Sequence, residues 1–129
     1  MHSFELSTRR RCELVDITGS VQEILRKSGV TAGICTVYVP HTTAAVVINE
    51  NADPSVCADI LAALARLVPE DGAYTHTEGN SDAHVKAAVI GSSRTVMVSG
   101  GRLALGRWQG IFFCEFDGPR RREVWVEIR

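Results

Sequence analysis

The chain has 129 residues, 45% of them hydrophobic and 22% charged, with a formal net charge of −1. This length and balance fit a single soluble domain over residues 1–129 with its own buried core, and the near-zero charge gives no reason to expect nucleic acid as a partner. The most apolar window, residues 32–48, is broken by Pro40, His41, Thr42 and Thr43, so no membrane span of about 20 apolar residues is expected.

The start, "MHSFELSTRRRCELVDITG", has no basic region leading into an apolar stretch, which predicts a cytoplasmic protein whose Cys12, Cys35, Cys57 and Cys114 stay reduced. "SFELST" and "CELVDI" alternate in polarity as strands do. The intervening "TRRR" predicts a hairpin turn with Arg9, Arg10 and Arg11 in solvent. Ser20 and Glu23 have capping-box spacing ahead of Val21, Ile24 and Leu25, and Gly29 follows; a short helix is predicted there.

"AGICTVYV" and "TAAVVINE" read as strands apolar on both faces, as at the centre of a layered core. Asp53 and Pro54 make a strong helix start, and Val56, Ile60, Leu64 and Val68 recur at helical spacing up to Pro69. A third helix is predicted from Ser81 through Val85 and Val89 to Gly91. "RTVMVS", "RLAL", "IFFCEF" and "REVWVEI" complete the strands. The order predicts an α+β fold: a layered, sandwich-like antiparallel sheet with helices on one side.

Three histidines, His41, His76 and His84, fall in polar clusters beside apolar elements. Three imidazoles with an open fourth position form a catalytic zinc pattern, although this spacing matches no standard metal motif. "YTHTEGNSDAH" places His84 in the first turn of the third helix. Asn80 and Ser81 at that helix start lie beside unpaired backbone N–H groups, which suit a phosphate or carboxylate.

Strand parity puts His41, Thr43, Ala45, Val47 and Asn49 on one face and Thr42 and Glu50 on the other. One pocket therefore uses both His41 and Glu50 only through a bulge or a second subunit. Thr42 and Thr43 can donate to an anion. Asp59, on the polar face of the long helix, reads as a solvated charge. Trp108 and Gln109 sit between Gly106 and Gly110, where the indole can stack on a planar ligand or anchor the core. Glu115 stands in an otherwise apolar strand, so its carboxylate is expected to be paired, metal-bound or used as an acid or base, unless that strand is an edge open to water.

"HTTAAVVINENADPSV", "VPEDGAYTHTEGNSDAHVKAAVIGSS" and "GRLALGRWQGIFFCEFDGPR" together resemble the signatures of the YjbQ-like family, whose members are often named secondary thiamine-phosphate synthases. The resemblance implies a homotrimer. It also implies a polar pocket at His41, His76, His84, Trp108, Gln109 and Glu115, holding a metal or oxyanion in some relatives, and weak thiamine-phosphate synthase activity. Such synthesis expels pyrophosphate and normally uses Mg²⁺ held by carboxylates, whereas a histidine pocket suits a zinc-like ion better. A small phosphorylated or anionic metabolite is the expected partner. Two other functions fit the residues. One is metal-assisted hydrolysis of a phosphate ester, with Glu115 shuttling protons, and the other is non-catalytic binding of an anionic metabolite.

Overall fold

The computed structural model describes all 129 residues. They form β1 (His2–Ser7), β2 (Glu13–Asp16), α1 (Thr18–Ser28), β3 (Ala32–Tyr38), β4 (Ala44–Glu50), α2 (Pro54–Leu67), α3 (Ser81–Ile90), β5 (Ser93–Ser99), β6 (Arg102–Leu103), β7 (Gln109–Glu115) and β8 (Arg121–Ile128). One sheet has the order β1-β8-β3-β5-β6 and the other β2-β7-β4. Every pairing is antiparallel. This is the layered α+β architecture that the sequence predicts.

Alternation explains the layers. Ala44 and Val46 of β4 and Ile111 and Phe113 of β7 face the five-stranded sheet, meeting Cys35, Val37, Val96, Val98, Val124 and Val126. The intervening Ala45 and Cys114 point the other way, onto Leu64 of α2 and Ala83 and Ala87 of α3. The middle sheet is thus buried on both sides, which is why "IFFCEF" carries no polar face. The third helix of the sequence, α3, and the long α2 lie on one side. α1 instead sends Val21 and Leu25 into the core between the sheets.

The helix ends differ in how well the sequence marks them. Asp53 caps α2 by accepting from the Ser55 N–H at 2.9 Å, ahead of Pro54. Gly29, at φ 73°, ends α1 in the left-handed conformation that glycine adopts without strain. The start of α1 is not the predicted capping box, because the helix begins three residues earlier, with Ile17 rather than Ser20 at the N-cap position. Asp16 accepts from the N–H and hydroxyl of Thr18, and Glu23 pairs with Arg26 at 2.6 Å.

The predicted hairpin between the first two strands is also corrected. β1 pairs with β8 and β2 with β7, so the chain changes sheets at residues 8–12. It does so again between β3 and β4 and between β7 and β8. Strands that switch sheets form the corners of a sandwich. Three such crossings place residues 8–12, 39–43 and 116–120 side by side. No helix is long and apolar enough to cross a membrane.

Candidate functional site: a histidine pocket beside a buried ion pair

Parity puts Glu115 on the same face as Ile111 and Phe113, pointing into the sandwich at its corner. It is fully buried, and Arg122 of β8 reaches it with Nε at 2.9 Å from Oε1 and with Nη2 on Oε2. Thr8 donates its hydroxyl to Oε1 at 2.7 Å, and the Asp117 N–H donates to Oε2 at 3.0 Å. Burial pushes the carboxyl pKa up, but donation from Arg122, Thr8 and the Asp117 amide outweighs it and leaves the group below its ordinary range. Each carboxylate oxygen has two donors. Of the fates expected for Glu115, pairing is the one found, and the proton-shuttle role has no geometric support.

Arg122 also ties down the neighbouring crossing. Its Nη2 donates to Thr43 Oγ1 at 2.9 Å and to the Thr43 carbonyl at 3.3 Å. Thr43 is therefore buried in the corner and does not offer its hydroxyl to a ligand. Gly118 closes the same corner. A Cβ there meets Arg10 O at 2.3 Å and Thr8 Oγ1 and Glu115 Cγ at 2.8 Å. Gly118→Ala is expected to destabilise the fold by about 3 kcal/mol through overpacking, lowering the melting temperature by roughly 10 °C. Calorimetry checks it; an unchanged melting temperature contradicts the packing described.

Outside the corner lies an open cavity of about 290 Å³ lined by His41, Thr42, Ala44, His84, Ala87, Ala88, Gly91 and Ser92. The strand end thus meets the third helix, bringing together His41, Thr42 and His84; residues 41–43 precede β4, so strand parity does not separate His41 from Thr42. His76, from the loop before α3, lies edge-on to His84 with ring centroids 5.3 Å apart, and its Nε2 is 3.7 Å from Glu78. His41 accepts the Glu123 N–H at Nε2, 2.9 Å away. Burial, then the Arg122 guanidinium, holds His41 below the ordinary histidine range. The neutral ring costs no stability above that range; as pH falls below about 6.5 it resists protonation, and stability declines.

A three-histidine metal centre is not formed within the chain. No group of three or more His, Cys, Asp or Glu side chains is placed to hold a metal, and the His41 Nε2 lone pair already accepts an amide. The donors in the cavity do not fit Mg²⁺ either, since no carboxylate lines it.

The other expected site residues lie elsewhere. Asn80 donates to Asp117 at 2.9 Å, while its Oδ1 is buried without a partner, and neither Asn80 nor Ser81 lines the cavity. The helix start is therefore not its anion cradle. Gln109 pairs with Glu50, and its Oε1 accepts from the Gly106 N–H at 2.7 Å. Trp108 is 53% exposed, with Arg107 over its ring at 4.9 Å. Both lie at the far end of β4, about 20 Å of strand from His41. One chain cannot fold them into the histidine pocket.

Sequence reading missed a second buried network. Asp82, fully buried in the first turn of α3, accepts from Arg11 Nη2 and Nη1 at 3.0 and 3.1 Å and from Lys86 at 2.8 Å. Burial raises its carboxyl pKa, and the two cations overcome this to hold it at about 2. Arg11 is therefore not a solvated turn residue. Val85 and Val89 of the same helix are instead 40% and 66% exposed. The Asp82 and Lys86 spacing, one helical turn apart beside Ala83 and Ala87, was the available signal.

A family model described as UPF0047 protein YjbQ-like matches residues 2–129. The chain belongs to the YjbQ-like UPF0047 family. A UPF0047 protein of Methanocaldococcus jannaschii is 52% identical over 128 residues, 99% of this chain and 93% of the relative. The UPF0047 protein YugU of Bacillus subtilis is 45% identical over 129 residues, 99% of this chain and 98% of its own. Among solved structures, an uncharacterized YjbQ/UPF0047 protein of Clostridium acetobutylicum superposes with a TM-score of 0.98 at 48% identity, covering 100% of both chains. The YjbQ-like fold is therefore common to this chain and that structure.

Proposed function

We propose that this YjbQ-like chain is a cytoplasmic, homotrimeric enzyme whose His41–His84 pocket binds the phosphate group of a small metabolite, with thiamine-phosphate synthesis as the reaction implied by resemblance. The observation that carries this reading is the convergence of His41, Thr42, His84 and Ser92 on one cavity with no carboxylate in its lining. Neutral imidazoles and hydroxyls can donate to phosphate oxygens, and no fixed anion in the wall opposes them. His84 is the acid–base candidate, since Glu115 is fully engaged. As the bond from the pyrimidine's methylene carbon to the diphosphate oxygen breaks and the thiazole nitrogen bonds to that carbon, His41 and Thr42 donate to the departing pyrophosphate and His84 can give it a proton.

The bare outer face of the five-stranded sheet supports assembly: Ile34, Tyr38 and Met97 are 39%, 42% and 69% exposed, beside Trp125. Light scattering tests this, with a three-chain mass expected and a single-chain mass contradicting it. The free thiols of all four cysteines are consistent with a reducing compartment.

The activity test couples the aminopyrimidine diphosphate to the thiazole phosphate. Wild-type turnover is expected to fall about 100-fold or more in His84→Ala. Equal turnover in the variant removes His84 from the chemistry. No product in the wild type, with phosphate still binding, leaves the pocket as that of a non-catalytic binder.

A further inference from the structure

We infer that Arg122 is a positioning residue of the pocket, which with the Glu123 amide fixes His41 as the Nδ1–H tautomer and makes it a hydrogen-bond donor to a ligand's anionic oxygen rather than a ligand for a cation. The inference rests on the oxyanion reading of the cavity and specifies how one of its walls works.

The tautomer follows from the direction of one hydrogen bond. The Glu123 N–H is a donor only, and it lies 2.9 Å from His41 Nε2. Nε2 must therefore present its lone pair, and the single proton of a neutral imidazole sits on Nδ1. Nδ1 makes no hydrogen bond within the chain, and the ring lines the cavity beside Thr42 and Ser92. Its proton is the free polar group of that ring.

The positioning role follows from what holds the two partners together. His41 sits outside the strands, on the crossing between β3 and β4, and the amide it accepts sits on β8 of the five-stranded sheet that the chain leaves there. Arg122 spans that gap. Its backbone immediately precedes the donating amide, and its guanidinium holds both the hydroxyl and the carbonyl of Thr43, two residues beyond His41. Glu115, in turn gripped by Thr8 and the Asp117 amide, fixes the guanidinium. A side chain buried to this extent, with every oxygen of its partner occupied, leaves the crossing little freedom. Arg122 is 4% exposed and reaches no ligand itself.

The test is long-range ¹H–¹⁵N NMR of the imidazoles in the full chain at neutral pH, before and after inorganic phosphate, for wild type and Thr43→Val. Valine keeps the shape and removes only the hydroxyl that Arg122 holds. Expected for the wild type are a protonated Nδ1 and a bare Nε2 at His41, with the Nδ1–H signal moved by phosphate. In Thr43→Val the nitrogen shifts should move toward the average of two tautomers, and phosphate binding should weaken about fivefold. A His41 protonated at Nε2 in the wild type overturns the inference. So does an unchanged tautomer and affinity in Thr43→Val. Phosphate that moves His84 but not His41 overturns it while leaving the oxyanion pocket in place. Phosphate that moves neither histidine overturns the pocket reading and the donor role together.

Discussion

Arg122→Met is expected to destabilise the protein by about 3–5 kcal/mol, because it leaves a buried carboxylate without its charge partner. Glu115 is fully buried at the corner where three chain crossings meet, and Arg122 supplies two of its four donors. The Thr8 hydroxyl and the Asp117 N–H remain in the variant, and two neutral donors do not offset desolvation of a full charge. The double variant Glu115→Met/Arg122→Met should recover most of the loss, since replacing both members of a buried pair with apolar side chains is often neutral. Urea unfolding of the two single variants and the double checks this. A double variant as unstable as Arg122→Met alone means that the guanidinium matters mainly through Thr43 and not through Glu115.

Acid should unfold the protein partly through Asp82. Arg11 and Lys86 hold its folded-state pKa at about 2, against an ordinary value of 3.8. A depressed carboxyl contributes its stability in full above the unfolded value and loses it as pH falls through the folded one. The contribution is about 2 kcal/mol, lost between pH 3.8 and about 2. Glu115 shifts in the same direction. Asp82→Asn should therefore be less stable at neutral pH, with the buried Lys86 and the half-buried Arg11 poorly paired, yet flatter over that acid window. Parallel pH profiles for wild type and variant, measured by urea unfolding, contradict this assignment.

What the sequence made legible was local. Asp53-Pro54, the stripe of α2 and the left-handed Gly29 each depend on neighbours a few residues away, and each is where expected. The crossings depend on which sheet each strand joins, and a short connection between two strands reads as a hairpin whether or not they pair. Even so, parity held usable information. In "RREVWVEI" the inward positions Val124 and Val126 place Arg122 in the interior as well, and an interior arginine asks for a carboxylate such as Glu115. The same logic applies to Asp82 and Lys86 on the Ala83–Ala87 face of α3.

The site was legible in part for a similar reason. His41, Thr42 and His84 are presented by a strand end and a helix that pack together, so a cavity between them follows from the core pattern. His76 approaches His84 through a loop that periodicity does not constrain. Trp108 and Gln109 carry distinctive side chains, but register places them opposite Asn51 and Glu50, at the other end of β4. Residue type flagged them, and only pairing could locate them.

The most direct measurement is titration calorimetry of inorganic phosphate into wild-type protein and into His41→Ala/His84→Ala. The pocket assigned here predicts saturable binding of one phosphate per chain in the wild type and its loss in the double variant, with both proteins folded. Phosphate that binds both equally, or neither, contradicts the assignment of this cavity as an oxyanion site.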